Sequence, residues 1–427
     1  MAVTFGGNLF PPLAALVSGP ILAHALGVDG RGQVAAAVAP LGLAVALVTF
    51  GIPEAVTFAV ARNPAVVRAA ARNGFRILIL AGLLAMGAVY AASAWLSGGD
   101  PGIQQLMSVA SLAVVPSLLV GVLRGIASGL HQWPMIAQER MLAAGLRLAA
   151  LIPLFLTDHL TPLSATIVLA LMPVAGAISY LRLPRRLPPA EPDVDGSSST
   201  RRMAGFGMRV WAGSVSGILL SRVDQTLMAP LSDAAQLGLY VVAVSVSELP
   251  LIINGAVRDV TFVTDARRDD PARLAASARI STLACTLAAI GLGATMLWWL
   301  PLLFGEEFRG ALGIAGVLLF AVVAGTPGSI GGAGLSARGR PGLRSISLVV
   351  ACVLNIVLVV ILVPRWGALG AAWATCAGTI TASTLNLIFL SRMFGVPMRG
   401  FYGLRRNDFT ILRRVAGRAW SSLRRGR

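Results

Sequence analysis

Residues 345–364 read SISLVVACVLNIVLVVILVP, a stretch without one Asp, Glu, Lys or Arg. A helix crossing the hydrocarbon of a bilayer needs about 20 mostly apolar residues, so this segment alone predicts a membrane span. Charge-free stretches of similar length recur outward from it, at 1–28, 32–53, 77–99, 101–123, 159–181, 280–305, 310–337 and 366–391. Three more apolar stretches, roughly 138–157, 207–230 and 234–258, carry internal charges. The pattern predicts an all-α polytopic membrane protein with about 12 spans, near 8–27, 33–60, 75–97, 104–123, 138–157, 162–183, 207–230, 234–258, 279–303, 311–335, 344–363 and 367–391. Internal prolines (Pro20, Pro40, Pro53, Pro116, Pro153, Pro173, Pro250, Pro327) fit kinked membrane helices, whose neighbours satisfy the freed carbonyls.

Composition agrees. The 427 residues are 56% apolar and 12% charged, against about 25% charged in a soluble domain. The formal charge of +17 is all arginine, with no lysine. No basic stripe sits on a soluble scaffold, which argues against nucleic-acid binding. Cys285, Cys352 and Cys376 lie unpaired within apolar segments, so neither a disulfide framework nor a zinc site is expected. Ala23-His24-Ala25 resembles a signal-cleavage site, but no positive n-region precedes it, and an uncleaved first helix is expected.

Arginine placement orients the chain. With a cytoplasmic N-terminus, the inner loops hold Arg62, Arg68, Arg72, Arg76, Arg124, Arg140 and Arg182 through Arg202, then Arg267, Arg268, Arg273, Arg338, Arg340 and Arg344. The outer loops hold Arg31, Arg309 and Arg365 against six acidic residues. Both termini are expected in the cytoplasm.

The Pro-, Ser- and acid-rich stretch within 184–206 reads as a cytoplasmic linker between six-helix bundles at 1–183 and 207–394. Leu26-Gly27 and Gly30-Arg31-Gly32 in the first half match Leu231-Ser232-Asp233 and Gly238-Leu239-Tyr240 in the second, with Gly32 and Gly238 standing 206 residues apart, as a repeat would place them. A central cleft between the bundles is the expected site of substrate. Residues 395–427 form a basic tail. A helix over Phe409–Arg425 would set Phe409, Leu412, Trp420 and Leu423 opposite Arg414, Arg418 and Arg425, suited to anionic inner-leaflet lipid.

No enzyme signature, metal cluster or phosphate loop is present, so neither a catalytic residue nor a bound cofactor is expected. The informative residues are ionisable groups at hydrocarbon depth, which are costly and default to functional candidates. These are Arg147 in span five, Arg222 and Asp224 in span seven, Glu248 in span eight and Glu54 after Pro53. Arg222 and Asp224, two residues apart, point to nearly opposite sides of a helix. Buried arginines suit a phosphate headgroup, and buried carboxylates suit proton or sodium coupling during alternating access. Each can instead be a packing pair that fixes one helix against another.

The opening LVSGPILAHALGVDGRG (residues 16–32) resembles the start of bacterial polysaccharide-biosynthesis flippases, and Ser221-Arg222-Val223-Asp224-Gln225 with Gly238-Leu239-Tyr240 resembles their second-half opening. The resemblance implies the multidrug/oligosaccharidyl-lipid/polysaccharide exporter superfamily. Members move undecaprenyl-pyrophosphate-linked oligosaccharides from the inner to the outer leaflet of the bacterial cytoplasmic membrane, with glycan polymerases or glycosyltransferases as partners. Cationic cavities in the family hold the pyrophosphate, a role the resemblance carries onto Arg222 and Arg147. Helix 1 has no acidic residue, unlike many drug exporters, and only Arg31 is found in residues 1–61, unlike the lipid II flippase branch. A cation-coupled multidrug or metabolite antiporter is the alternative, and a non-transport scaffold of a glycan-assembly complex the third reading.

Overall fold

The computed structural model describes residues 2–186, 199–268, 270–403, 405 and 408. Its α-helices are α1 (Ala2–Val48), α2 (Ile52–Arg62), α3 (Val67–Leu96), α4 (Pro101–Ser111), α5 (Val114–Gly129), α6 (Trp133–Leu156), α7 (Pro162–Ala175), α8 (Thr200–Leu231), α9 (Ala234–Arg268), α10 (Pro271–Phe304), α11 (Ala311–Ala337) and α12 (Pro341–Phe394). No strand occurs among the described residues.

These helices and the expected spans do not correspond one to one. α1 continues through residues 28–32, which sequence reading assigns to an outer turn, and only Gly27, at φ 65°, leaves helical geometry. Arg31 therefore lies in a helix and not in a loop. Its limbs, residues 2–26 and 28–48, each reach about 30 Å or more, enough to cross hydrocarbon. α12 is likewise two limbs joined at Gly367, φ 54°, where Gln236 Oε1 accepts from the Ala368 amide at 3.0 Å. Glycine is required at both joints, because side chains resist positive φ. Two prolines start helices instead of kinking them. Pro53 stands in the first turn of α2 after the left-handed Gly51, and Pro116 stands early in α5, after a break at Leu112-Ala113. A missing N–H is costless in a first turn.

Eight helical segments are long and apolar enough to cross a membrane. Counting α1 and α12 twice and adding the charge-bearing α6 and α8 gives the twelve spans, in two bundles. α8 starts at Thr200, so residues 200–206 of the expected linker are helical. Residues 187–198 of that linker, and the expected tail helix over Phe409–Arg425, lie outside the described residues.

Ile52, Leu78, Leu118 and Val122 centre the first bundle; Met228, Leu237, Tyr240, Leu300 and Val359 centre the second. Ala36 of α1 and Met107 of α4 join the second core. In lipid such association rests on close approach more than on the hydrophobic effect, and glycine sets the closest points. A Cβ on Gly32 would stand 1.7 Å from the Ala234 carbonyl oxygen, and one on Gly238 2.1 Å from that of Val28. Here α1 and α9 touch backbone to backbone on the side opposite the termini. On the termini side a Cβ on Gly51 would stand 2.2 Å from the Gly207 oxygen. Phe58 stacks on Phe206 at 4.6 Å, and Trp211 donates Nε1 to the Leu47 carbonyl at 2.8 Å.

The chain after α12 is fastened to the second bundle. Phe401 is buried with Leu274, Ile330 and Leu390. Arg279 of α10 donates Nε and Nη2 to Asp408 at 2.7 and 2.6 Å, both side chains being almost fully buried. Hydrogen bonding from Arg279 holds the Asp408 carboxyl below the usual carboxylate range. A depressed carboxyl contributes stability that is full above the ordinary range and is lost only as pH falls below it. Limited proteolysis near residue 405 is therefore expected to give one pattern at pH 7 and pH 5. Asp408→Ala should open the segment at both, since removing one member of a buried pair costs about 3–5 kcal/mol.

Candidate functional site

The face of α6 that carries Arg140 carries Arg147 two turns later, because seven residues bring a helix back to nearly the same face. Together with Pro11 of α1, Glu139, Ala143, Ala144 and Pro173 of α7, they line a cavity of about 380 Å³. Its acid is already neutralised. Glu139, buried, accepts from Arg124 Nε and Nη2 at 3.0 and 2.8 Å and from the Tyr180 hydroxyl at 3.2 Å. Arg147 has no such partner: its Nε and Nη2 are buried without a hydrogen bond. Arg31 Nε is in the same condition, and the charge acting on Arg31 is Arg147. Buried guanidinium donors without a partner at membrane depth favour an anion beside them.

A larger cavity, about 770 Å³, lies between α1, α9 and α10. Pro11, Leu16, Pro20, Leu251, Trp299 and Phe304 are among its apolar walls, and Glu248, exposed to it, is its one ionisable lining residue. Pro11 lines both cavities. A cationic hollow thus adjoins an apolar one across a single side chain of α1.

Asp224 occupies a third environment. It is 2% exposed, and its Oδ2 accepts from the Tyr240 hydroxyl and, at 3.0 Å, from Thr375 Oγ1. The Gln225 amide donates to its Oδ1 at 2.7 Å. Asn355 donates Nδ2 to Thr375 Oγ1 at 3.4 Å, while its buried Oδ1 has no partner. α8, α9 and both limbs of α12 meet at this carboxylate, and no ion pair reaches it among the described residues.

Arg147 and Glu248 are therefore placed on neighbouring cavities and Asp224 in the core of the second bundle. Arg222 lies on the exposed face of α8, turned away from Asp224, and Glu54 is exposed in the first turn of α2. Neither lines the two cavities. Sequence reasoning missed Arg31, which its flanking glycines had assigned to a turn, and the Arg124–Glu139–Tyr180 group. It also missed Thr375 and Asn355, uncharged residues that no hydropathy pattern singles out, and it read Tyr240 only as part of a turn motif and not as a partner of Asp224.

A family model described as "Polysaccharide biosynthesis protein" matches residues 1–262. No curated protein sequence matches the chain. Among solved structures, an inward-facing multidrug-resistance MATE family transporter of the MOP superfamily is similar at TM-score 0.73 and 14% identity, over 94% of this chain and 99% of that one. The lipid II flippase MurJ in an inward closed conformation is similar at TM-score 0.70 and 14% identity, over 94% and 89%. A MOP superfamily transporter from Pyrococcus furiosus, titled for the reverse polarity of its binding pocket, is similar at 0.56 and 14%, over 93% and 95%. At these identities the likeness concerns the fold.

Proposed function

The chain belongs to the polysaccharide biosynthesis protein family, and from that premise we propose that it flips a lipid-linked oligosaccharide, an undecaprenyl-pyrophosphate-linked repeat unit, from the inner to the outer leaflet of a bacterial cytoplasmic membrane. One observation carries the reading: the cationic cavity at Arg140 and Arg147 and the apolar cavity at Glu248 share Pro11. An anionic headgroup with a hydrocarbon chain matches that pair of environments. Arg147 and Arg31 take the pyrophosphate through paired N–H donors. Arg222, exposed on α8 between the proposed halves 1–183 and 207–394, meets the headgroup as the bundles rock. Both termini lie in the cytoplasm, where the basic tail (395–427) holds anionic inner-leaflet lipid and glycan polymerase or glycosyltransferases act alongside.

Asp224 is the proposed coupling group, with Glu248 and Glu54 as secondary carboxylates. A buried carboxylate with hydroxyl neighbours and the spare Asn355 Oδ1 offers oxygen ligands to a proton or a sodium ion.

Arg147→Ala is expected to leave the protein inserted while lipid-linked glycan accumulates and surface glycan falls on the order of tenfold or more, the equivalent of about 1.4 kcal/mol or more of lost headgroup binding. Extraction of lipid-linked intermediates alongside surface-glycan immunoblotting reads both. Full surface glycan in a well-expressed variant refutes the assignment. Glu248 beside Trp299 in an apolar cavity also suits a lipophilic cation, the antiporter reading. Under it, deletion raises drug sensitivity and leaves surface glycan intact.

A further inference from the structure

Glu139 stands in the second turn of α6, about two turns nearer the termini side than Arg147, and both line the cationic cavity together with Arg140. Its side chain is 4% exposed, and its carboxylate accepts from two other elements. Arg124 of α5 donates in parallel, Nε to Oε2 at 3.0 Å and Nη2 to Oε1 at 2.8 Å. The Tyr180 hydroxyl donates to Oε2 at 3.2 Å from the helical segment Gly176–Arg186 that continues α7. Gly176 permits that approach, since a Cβ there would stand 2.7 Å from the Glu139 carbonyl oxygen. The Arg124 side chain is 44% exposed, so the pair is buried at the acid and open at the cation.

The two parallel bonds are those that a phosphate makes to a guanidinium. Carboxylate and phosphate both offer a pair of oxygens to the planar fork of arginine, and Glu139 fills that position on Arg124. A group serving only to tie α5, α6 and α7 together could be apolar, because buried ion pairs are often no more stabilising than well-packed hydrophobic residues. This carboxylate instead stands on the wall of a hollow that also holds the buried, unbonded Nε and Nη2 of Arg147. There it repels an incoming anion and keeps Arg124 occupied.

We propose that Glu139 is a built-in competitor of the substrate phosphate: it holds Arg124 and tempers the positive field of the cavity, so that a phosphate bound at Arg147 can leave again. The role rests on the reading of this cavity as the pyrophosphate site. A transported anion must bind well enough to enter and weakly enough to depart. Without the carboxylate, Arg124 is released to the same phosphate oxygens, the headgroup is held longer, and turnover falls as affinity rises. The Tyr180 bond keeps the carboxylate on the wall whichever anion Arg124 holds.

Equilibrium binding of radiolabelled inorganic pyrophosphate to the full-length protein in nonionic detergent tests this. Glu139→Gln, which keeps the size of the side chain and an oxygen to accept from Tyr180, is expected to bind on the order of tenfold more tightly than wild type, through the loss of one opposing charge. Arg124→Gln leaves the carboxylate without its cation and should bind on the order of tenfold more weakly. The double variant should return to near the wild-type value. In proteoliposomes carrying a lipid-linked pyrophosphate sugar, Glu139→Gln should lower the half-saturating concentration and the maximal rate together. A purely structural clamp gives a different sign: binding unchanged or weaker in a folded Glu139→Gln overturns the competitor. Should Arg124→Gln misfold, Glu139→Gln and the double variant carry the test. Arg147→Gln tests the cavity itself. Binding lost there but unchanged in Glu139→Gln removes the competitor alone, whereas binding untouched by Arg147→Gln removes the cavity reading and the competitor with it.

Discussion

Replacing Gly32 or Gly238 with alanine is expected to pry α1 from α9 and open the protein on the side opposite the termini. The added methyl group has nowhere to go: at either position it would stand about 2 Å or less from a facing carbonyl oxygen, and the obstacle is backbone, not a movable side chain. Overpacking costs about 1–3 kcal/mol, and 1.4 kcal/mol is about tenfold in a two-state equilibrium. Gly51→Ala and Gly207→Ala act at the other end, where their Cβ atoms would meet the Gly207 and Phe50 oxygens, so they should shift the balance oppositely. Spin labels at Asp29 and Asp233, exposed beside the first contact, and at Arg62 and Arg201 beside the second, report the two gates by pulsed resonance distances. The native cysteines are buried and should escape labelling. Gly32→Ala should lengthen the first distance and leave the second unchanged or shorter. Unchanged distances in all four variants would show that these contacts are not gates.

Asp224→Asn is expected to leave the fold intact and abolish dependence on the driving gradient. The amide can keep a hydrogen bond to the Tyr240 or Thr375 hydroxyl, so the local geometry tolerates the change. It cannot carry the negative charge on which the proposed binding and release of a proton or sodium ion depends. Couplings between sites are typically about 1–3 kcal/mol, or 5–150-fold, and transport driven by an imposed pH or sodium gradient should fall by a factor in that range. Tyr240→Phe, which removes one donor and keeps the ring, should shift the ion dependence without erasing it. A purely structural Asp224 gives the other result: a lower melting temperature for Asp224→Asn, with gradient dependence preserved.

The two predictions draw on features of unequal legibility. Hydropathy exposed the membrane spans, because a lipid-crossing helix must be apolar over its whole length. The kink positions were less accessible: nothing in the charge pattern says that the helix runs on through Arg31 and breaks only at Gly27. That mistake hid Arg31 as a candidate, since a loop arginine costs little while a helical one buried at that depth is costly without an anion. The i and i+2 spacing of Arg222 and Asp224 did foretell their separation, one exposed and one buried. The hydroxyls around Asp224 come from residues 16 and 151 positions away; only tertiary packing joins such distant uncharged groups. Glu139 was obscured for the same reason, its charge being cancelled by Arg124 from the preceding helix.

The central claim is that a pyrophosphate-bearing headgroup crosses between the bundles by way of Arg147. Proteoliposomes carrying a fluorescent undecaprenyl-pyrophosphate sugar, bleached from outside by a membrane-impermeant reductant, measure that crossing directly. The account predicts that wild-type protein exposes the inner-leaflet pool to bleaching while Arg147→Ala liposomes behave like empty ones. Bleaching at the wild-type rate in Arg147→Ala liposomes would contradict it.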